Sequence, residues 1–582
     1  MVSNSLSKSQ KEIIKATGKV VLKSCPGSGK THVVACKAVE QIENWELKNK
    51  GIAILTFTNV ASEELKSRIN EISKCKIDYP HYIGTLDSFI TQYIFLPFGH
   101  LVMQCEEKPT IIHDFSIKAL NHGLKSWKGI CHRNACAPLD FYFDENGELQ
   151  NTKKIKTCVL VKNRPCEKFK LYCYKHGYAT FKDVTIIALK VLNGNREVAE
   201  LLAKRFCVLI VDEAQDTSAD QMKIMDLLVE NGLSEIMLIG DPDQAIYEWR
   251  DADPSIFMEK YIDKSWYSQL LNENFRCSQK ICNATKIFST LLLESLAVGD
   301  SADCDFIPEI IKYDPKDIKS TIEYFMDKCD SYKLELSHER IAVLSRGKAG
   351  LLGRDYSQIK DLWKNQLTKL LSEATFERDM GSLNRAIVLV EKSLYSIFIK
   401  DNISNEVEIN EIDKIIQADV WRKMIFEFCK CLPSSDTKLN TWKTSMGNII
   451  EDIASKYDLQ KIGDSEIKTK IRVTDSNLKD FLEQPIKDFY AKSYAGAYLN
   501  ATIHAVKGRT FEAVLLIIGT NGKLTSNMLN TSDIESEAIR TAYVAMTRAR
   551  KILMIAIPKS VKDRSLTRFN DANWRIVNEF KT

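Results

Sequence analysis

Two kinds of apolar pattern divide the chain and together predict an α/β fold. Short continuous runs of aliphatic residues, such as Phe206 to Val211, are typical of strands that are buried on both faces of a parallel sheet. Between 350 and 490 the apolar residues instead recur at three- and four-residue steps, which indicates amphipathic helices such as 363–371 and 383–397. The longest apolar runs are far shorter than the ~20 residues of a membrane span, so we expect no membrane partner.

Composition excludes a disordered, collagen-like or coiled-coil chain. The 582 residues are 44% hydrophobic and 27% charged, as in an ordinary folded protein, and the net charge of +4 leaves local charge to indicate any polyanion partner. The sixteen cysteines lack disulfide-framework spacing, and the segment MVSNSLSKSQ has no apolar signal core. We therefore expect reduced thiols in a cytoplasmic protein.

The segment KVVLKSCPGSGKT, residues 19–31, has the pattern of a phosphate-binding loop. Glycines let backbone N–H groups turn toward a phosphate, and the helix that follows adds partial positive charge at its N-terminus. Lys30 can reach the terminal phosphates, and the Thr31 hydroxyl can ligate Mg²⁺. The loop predicts nucleotide contacts by Ser24, Cys25, Pro26, Gly27, Ser28, Gly29, Lys30 and Thr31, although Ser24 stands where the strict pattern has glycine.

A second motif, which is acidic, strengthens the prediction of a nucleotide site. Asp212 and Glu213 follow the apolar run 206–211, at the end of a predicted strand where open parallel sheets bind ligands. Asp212 is then a candidate for the Mg²⁺ shell, and Glu213 could accept a proton from an attacking water. Together with Lys30, the pair predicts a nucleoside triphosphatase.

The order of motifs resembles that of UvrD/Rep/PcrA-type superfamily 1 DNA helicases. Motifs I and II are the two segments above. Further similar segments are the glutamine motif (6–10), motif Ia (56–59), the following strand-binding motif (84–89), motif III (240–250), motif IV (271–276), motif V (503–508) and motif VI (543–550).

The resemblance implies two RecA-like P-loop motor domains, each with a largely helical insertion, that close on ATP and Mg²⁺. It implies that Gln10 reads adenine, with His32 and Phe275 at positions where the family usually has arginine and tyrosine beside the base. It also implies that Arg276 and Arg548 reach the γ-phosphate from the second domain, close to Gln244. The predicted catalytic residues are Lys30, Asp212, Glu213, Gln244, Arg276 and Arg548, and the predicted metal ligands are Thr31 and Asp212.

For nucleic acid, the resemblance implies aromatic side chains that separate successive bases of single-stranded DNA. Such stacking contributes about 1–3 kcal/mol per base and tolerates any sequence. The predicted DNA-binding residues are Phe57, Thr58, Asn59, Thr85, Tyr247, Trp249, Arg250 and His504. Motif V continues as Lys507-Gly508-Arg509-Thr510, where close relatives have Leu-Glu, so the ribose contact of that glutamate is absent or moved.

The motifs also predict the domain boundaries. The first motor domain covers 1–96 and 181–274, interrupted by an insertion at 97–180. The second covers 275–349 and 491–565, interrupted by a divergent helical insertion at 350–490. Residues 566–582 form a C-terminal tail.

The two insertions leave alternatives open. Segment 151–182 interleaves lysines and arginines with aromatic residues, which suits a strand-tracking surface or a solvated basic face. Six cysteines between 105 and 173, near His132 and His176, could hold a metal, but the absence of a CxxC pair favours incidental thiols. Insertion 350–490 lacks the glycine-rich aromatic segment that the family usually has there, which argues against duplex contacts and leaves binding of a protein partner as an open alternative.

The leading hypothesis is an ATP- and Mg²⁺-dependent motor that moves 3′ to 5′ on single-stranded DNA and unwinds duplex at single-strand/double-strand junctions. The alternative is a non-processive DNA-sensing subunit that regulates a partner nuclease in anti-phage defence, as in Gabija-type systems, since no nuclease motif is visible in the chain. A P-loop kinase or transporter ATPase would leave the aromatic motif III unexplained.

Overall fold

The computed structural model describes most of the chain and divides it into two compact units, residues 1–350 with 499–582, and residues 351–498. The described residues are 6–73, 77–112, 140–151, 165–247, 252–291, 293–315, 317–346, 363, 365–379, 382–399, 412, 415–459, 481–490, 498–519, 524–525, 529, 531–562, 566–570 and 572–577. Among them, no helix has both the length and the apolar character that crossing a bilayer requires.

The first part of the larger unit, here called the first lobe, is built on a parallel sheet. Its strands are β1 (Lys19–Ser24), β2 (Gly51–Thr56), β3 (Tyr82–Thr85), β4 (Thr110–Ile111), β5 (Phe141–Phe143), β6 (Leu149–Asn151), β7 (Tyr178–Ala179), β8 (Phe206–Val211), β9 (Glu235–Gly240) and β10 (Tyr267–Leu271). Six of them form one sheet in the order β10-β1-β9-β8-β2-β3, and every pairing in it is parallel. The strand predicted at 206–211 is confirmed, and its buried aliphatic residues lie near the centre of the sheet.

Helices cover both faces of this sheet, as a sheet with two buried faces requires. The described helices are Lys8–Lys15, Lys30–Glu43, Asn59–Ser73, Leu86–Ile90, Leu96–Phe98, His100–Met103, Pro165–Lys175, Phe181–Gly194, Arg196–Arg205, Ala219–Glu230 and Pro254–Ile262, with a π-helical turn at Thr91–Phe95. The loops after β1, β2, β8 and β9 leave the same edge of the sheet, because all four strands run in parallel. Motifs I, Ia, II and III therefore meet at one edge.

A second parallel sheet forms the second lobe of the same unit. Its strands are β13 (Glu309–Tyr313), β14 (Ile341–Ser345), β15 (Leu499–Thr502), β16 (Phe511–Ile517), β17 (Ala549–Pro558) and β18 (Arg575–Val577), in the order β15-β14-β16-β17-β13-β18. A short parallel pair, β11 (Glu273–Asn274) with β12 (Leu296–Ala297), links the two lobes. The helices described here are Gln279–Thr285, Ile318–Ser331, Glu537–Met546 and Thr567–Asn570.

The predicted C-terminal tail belongs to this second lobe. Strand β18 pairs with β13, and the nearby side chains of Leu566, Phe569 and Trp574 are buried in the core. The Trp574 indole donates to the carbonyl of Ala284 at 2.9 Å. The prediction of a separate tail is therefore wrong for the described residues in 566–577, because their apolar side chains complete the lobe.

The insertion at 97–180 has its own small core, which contains Phe141, Phe169 and Cys173, whereas Tyr174 belongs to the core of the first lobe. Phe169 and Tyr174 are buried, and buried Lys170 forms an ion pair with Asp183, which also accepts from the Tyr174 hydroxyl at 2.9 Å. These three residues do not face solvent, so the strand-tracking interpretation of segment 151–182 is wrong for them. Residues 152–164 lie outside the described chain, as do Cys131, His132, Cys136 and Cys158. Among the described residues no group of three histidine, cysteine or acidic side chains could hold a metal.

The smaller unit is helical. Its helices are Gln366–Asp379, Leu383–Phe398, Ala418–Cys431, Leu439–Lys456 and Ile486–Tyr490, around a core that contains Trp363, Trp421 and Trp442. The helix predicted at 383–397 is confirmed. The helix predicted from 363 begins instead at Gln366, because the Asn365 side chain accepts from the backbone N–H of Thr368 at 2.9 Å and caps it.

Candidate nucleotide and nucleic-acid site

The phosphate-binding loop packs directly against the start of the second lobe. Gly27 has φ +73°, and a Cβ atom on it would lie 2.6 Å from Asn274 Oδ1 and 2.7 Å from Arg276 Cβ. The backbone N–H of Phe275 donates to the Gly27 carbonyl at 2.8 Å. Glycine is thus required here both by the backbone conformation and by the approach of the chain after β11.

The remaining loop residues are held from within the first lobe. Ser24 donates its hydroxyl to the carbonyl of Gly240 at 3.0 Å, and Gly29, with φ +78°, precedes the helix that begins at Lys30. Cys25 and Pro26 are buried. Because Ser24 contacts the end of β9 and not the loop interior, a serine is tolerated where the strict pattern has glycine.

Gln10 lies against the loop. Its amide Nε2 donates to the Ser28 carbonyl at 3.1 Å, while its Oε1 accepts from the backbone N–H of Ser7 at 3.1 Å. Its reading of adenine stays a prediction. The Ser28 hydroxyl is buried without a hydrogen-bond partner, so the loop presents an unsatisfied polar group of the kind that a phosphate oxygen could satisfy.

Oxygen donors suited to Mg²⁺ meet beside Lys30. The Thr31 hydroxyl lies 3.4 Å from Asp212 Oδ2, and a hydroxyl with a carboxylate is the donor set that Mg²⁺ prefers. Burial and the adjacent Glu213 carboxylate raise the pKa of Asp212 above its usual range. A cation bound there would favour the ionised carboxylate. The residues present therefore fit the metal that the sequence implies.

Glu213 stands in a strongly positive setting. Its backbone is left-handed, with φ +56°, and its carboxylate accepts from the Gln215 amide at 2.5 Å. Burial alone would raise the pKa of Glu213, but the charges of Lys30 and Lys507 and the bond from Gln215 outweigh burial and hold this pKa below its usual range. Glu213 is therefore ionised at neutral pH.

Both predicted arginines converge on this site from the second lobe. Arg276 donates to the carbonyl of Thr547 at 3.1 Å, and Arg548 donates to Gln244 Oε1 at 2.6 Å. Gln244 in turn donates to Asp241, at the end of β9. Arg276 thus contacts the residue that precedes Arg548. Burial and the positive charge of Arg276 lower the pKa of Arg548. A bound polyanion would offset that positive charge.

Lys507, a residue to which the sequence pattern assigned no role, crosses between the lobes. It forms an ion pair with Asp216 of motif II, donates to the Gln244 carbonyl at 3.0 Å, and places Nζ 4.6 Å from the centre of the Tyr247 ring. Motif V contains Lys507, so this residue could be noticed from sequence. Nothing local in the sequence indicates its partner, Asp216, which lies 291 positions away.

Three further hydrogen bonds join motif III to the second lobe. Arg540 donates to the Ala245 carbonyl at 2.7 Å, and the Asp243 carboxylate accepts from the backbone of Thr290 at 2.9 Å and from the Ser289 hydroxyl at 2.7 Å. The described part of motif III therefore contacts several separate segments of the second lobe.

Three of the predicted DNA-binding residues form one aromatic cluster. The Phe57 and Tyr247 rings lie 4.8 Å apart, and the His504 ring lies 6.2 Å from Tyr247. Phe57 and Tyr247 come from the first lobe and His504 from the second. Burial and the charge of Arg346 lower the pKa of His504.

The other residues that were predicted to bind DNA, and His32 of the predicted nucleotide site, are not part of this aromatic cluster. Thr58 and Thr85 use their hydroxyls to accept from backbone N–H groups three residues ahead, which starts the two helices that follow. Asn59 is exposed. His32 faces Cys36, with 3.6 Å between Nε2 and Sγ, and burial lowers the pKa of His32. Trp249 and Arg250 lie outside the described residues.

Comparison with known proteins identifies the family. Residues 6–265 match the model of the UvrD/REP helicase N-terminal domain, and residues 387–560 match the UvrD-like helicase C-terminal domain. The chain is 25% identical to a protein named ATP-dependent DNA helicase Rep from Buchnera aphidicola, over 94% of each chain. It is 24% identical to a probable DNA helicase II homolog from Mycoplasma capricolum, over 92% of this chain and 81% of that one.

A third relative is matched over a shorter length. It is named Gabija protein GajB, comes from Bacillus cereus, and is 25% identical over 48% of each chain. Family models thus match both ends of the chain, and the two sheets are the two RecA-like motor domains of that family. The chain belongs to the UvrD/Rep family of ATP-dependent DNA helicases.

Proposed function

We propose that this protein moves 3′ to 5′ along single-stranded DNA, with ATP and Mg²⁺, and unwinds duplex at single-strand/double-strand junctions. The observation that carries the proposal is the continuous set of contacts from the phosphate-binding loop, through motif III, to the aromatic cluster. Arg548 bonds to Gln244, and Lys507 bonds to both Asp216 and the Gln244 carbonyl while it covers the Tyr247 ring.

At the nucleotide, each residue has a proposed role that follows from its position. Lys30 and the loop N–H groups bind the phosphates, and Glu213, ionised and adjacent, orients and deprotonates the attacking water. Arg276 and Arg548 stabilise the charge that develops on the transferred phosphoryl group, and Gln244 holds Arg548 in place. Mg²⁺ held by Thr31 and Asp212 would supply further positive charge to the phosphates.

At the nucleic acid, the proposed stacking platform is the cluster of Phe57, Tyr247 and His504. Aromatic faces bind bases without sequence preference, which a translocating enzyme requires. Because the cluster draws residues from both lobes, a movement of one lobe against the other changes the spacing of the rings. A change in the bound nucleotide that moves the lobes therefore changes the affinity of the cluster for the DNA strand.

The assignment of the nucleotide site is tested by Lys30→Ala. We expect DNA-stimulated ATP hydrolysis to be abolished, because the phosphates lose their charged ligand. Lys11→Ala, which removes an exposed lysine of the same lobe, is the matched control and should behave as wild type. Normal turnover by Lys30→Ala would refute the site.

The direction of movement is tested by strand displacement on duplexes that carry a single-stranded tail of either polarity. We expect displacement from the 3′-tailed duplex only. Efficient displacement from the 5′-tailed duplex alone would refute the direction, and robust ATP hydrolysis without displacement of either would favour the alternative of a regulatory subunit.

A further inference from the structure

A buried lysine, Lys37, contacts the end of the helix that carries Gln10. Lys37 is only 2% exposed, and its ammonium donates to the carbonyl of Ile14 at 3.0 Å and to that of Ala16 at 2.6 Å. These carbonyls lie at the C-terminal end of the helix Lys8–Lys15, where backbone acceptors have no partner within the helix. A positive charge at this end of a helix is also favourable. Lys37 therefore fixes this end of the helix to the first lobe.

The other end of the same helix contacts the phosphate-binding loop. Gln10 is buried, and two backbone groups bind its amide: the N–H of Ser7 donates to Oε1, and the carbonyl of Ser28 accepts from Nε2. The packing is close, since a Cβ on Gly29 would lie 3.0 Å from Gln10 Nε2. A small movement of the helix would therefore move the amide relative to the loop.

These two contacts also fix the orientation of the Gln10 amide. A flipped amide would set two donors against each other at Ser7 and two acceptors against each other at Ser28. Oε1 therefore keeps one lone pair and Nε2 keeps one N–H in a fixed order, which matches the N6–H donor and the N7 acceptor of adenine. Guanine presents two acceptors, O6 and N7, at the same edge. The orientation therefore favours adenine over guanine.

One helix connects Lys37 to the phosphate site. Helix Lys30–Glu43 begins at Lys30, the predicted phosphate ligand, and carries Lys37 about 10 Å further along its axis. The eight-residue helix Lys8–Lys15 is too short to be stable alone, so tertiary contacts decide where it lies. Apolar packing of its buried face is non-directional, whereas the hydrogen bonds from Lys37 fix the position of the helix end.

We propose that Lys37 is a positioning residue for base recognition: it fixes the helix that carries Gln10, and thereby lets the Gln10 amide select adenine over guanine nucleotides. The proposal rests on the proposed function in one respect, the use of ATP with Gln10 beside its base. It does not depend on movement along DNA.

Loss of the ammonium should change base recognition and leave phosphate binding intact. In Lys37→Met the side chain stays long and unbranched but donates no hydrogen bond, so the two carbonyls at the helix end lose their donor. A buried polar group without a partner is unfavourable, so the helix end should move toward water, and the Gln10 amide with it. Lys30 belongs to a different helix and should bind the phosphates as before.

The test measures the binding of two non-hydrolysable nucleotides, AMP-PNP and GMP-PNP, to the full chain with Mg²⁺ by isothermal titration calorimetry. We expect wild type to bind AMP-PNP more tightly. In Lys37→Met this preference should fall at least about tenfold, through weaker binding of AMP-PNP, while the dissociation constant of GMP-PNP stays the same. The control Lys48→Met, which removes an exposed lysine of the same lobe, should keep the wild-type preference.

A double variant shows whether Lys37 acts through Gln10. The preference should also fall in Gln10→Met, and the addition of Lys37→Met should lower it no further, since two residues that act through one contact are not additive. A further fall in the double variant would overturn the proposal. If Lys37→Met does not fold, Lys37→Gln, which keeps a shorter and neutral donor, should lower the preference about threefold. The wild-type preference in Lys37→Gln would then overturn the proposal.

The remaining outcomes separate this proposal from the proposed function. Equal weakening of both nucleotides in Lys37→Met, an unchanged preference in that variant, or a wild type without any preference would overturn the role of Lys37. A wild type that shows the expected preference, and loses it in Lys37→Met, but displaces no strand from either tailed duplex would refute the proposed function and support the role of Lys37.

Discussion

At the boundary between the lobes, a buried lysine of one lobe forms an ion pair with a buried aspartate of the other. Lys507 and Asp216 have side chains that are 10% and 0% exposed, and they belong to different lobes. A charge removed from water is tolerated only with a partner of opposite sign and further hydrogen bonds. Lys507 has both, because the Gln244 carbonyl and the Tyr247 ring also face it. The pair therefore holds the lobes in register at the point where nucleotide and aromatic motifs meet.

Replacement of Lys507 by alanine should be costly in two ways. Loss of one partner from a buried ion pair costs about 3–5 kcal/mol, so we expect the free energy of unfolding to fall by that order. DNA stimulation of ATP hydrolysis should also be lost, since the link between motif II and Tyr247 is gone. Denaturant unfolding and ATPase assays check both, with Lys562→Ala, an exposed lysine of the same lobe, as control. Equal stability of the two variants would contradict the assignment.

His504 predicts a dependence of stability on pH. Its pKa is lowered in the folded state by burial and by the charge of Arg346, so the unfolded chain binds its proton more readily. Stability from this residue is then present above about pH 6.5 and falls as the pH drops toward the folded pKa.

The comparison of wild type with His504→Gln isolates this effect. We expect the loss of unfolding free energy between pH 7.5 and pH 5.5 to be smaller in His504→Gln than in wild type. His338→Gln, which removes an exposed imidazole, should keep the full loss. An identical pH profile for all three proteins would mean that His504 does not carry the effect.

At the scale of elements, the phosphate-binding loop and the strand β11 depend on each other. Gly18 and Gly27 have similar left-handed backbones, with φ +79° and +73°, but a Cβ on Gly18 would meet nothing within 4 Å. Alanine at either position costs about 1–2 kcal/mol for the backbone alone. Only at Gly27 does it also collide with Asn274 and Arg276.

Gly27→Ala should therefore damage ATP binding far more than Gly18→Ala. We expect the KM for ATP to rise at least about tenfold in Gly27→Ala, equivalent to ~1.4 kcal/mol, and to stay near the wild-type value in Gly18→Ala. Steady-state ATP hydrolysis over a range of ATP concentrations measures both. Equal KM values for the two variants would show that the approach of β11 to the loop is unimportant.

The elements that could be predicted from sequence are those with a strong local pattern. The apolar run 206–211 and the periodic segment 383–397 each contain enough buried residues to identify a strand and a helix. Strand β18 has only Arg575–Val577, too short for a pattern, and Trp574 is identified as core only by its contact with the distant Ala284. The same holds for Lys507, whose partner is set by tertiary packing and not by neighbours in sequence.

At the scale of the whole molecule, the larger unit behaves as two lobes around one shared site. The first lobe supplies Lys30, Asp212 and Glu213 from the ends of β1 and β8, and the second supplies Arg276 and Arg548. In the proposed function, a site divided in this way couples hydrolysis to lobe movement, because neither lobe contains the full set of charges.

The most direct test of this account is the turnover number for ATP at saturating single-stranded DNA in Arg276→Gln. Arg340→Gln, which removes an exposed arginine of the same lobe, is the matched control. If the second lobe completes the catalytic site, turnover by Arg276→Gln should fall at least about 10³-fold while melting temperature and ATP binding stay close to those of the control. A turnover within about twofold of the Arg340→Gln value would contradict the account, since an arginine in this role contributes roughly 10³–10⁵ to the rate.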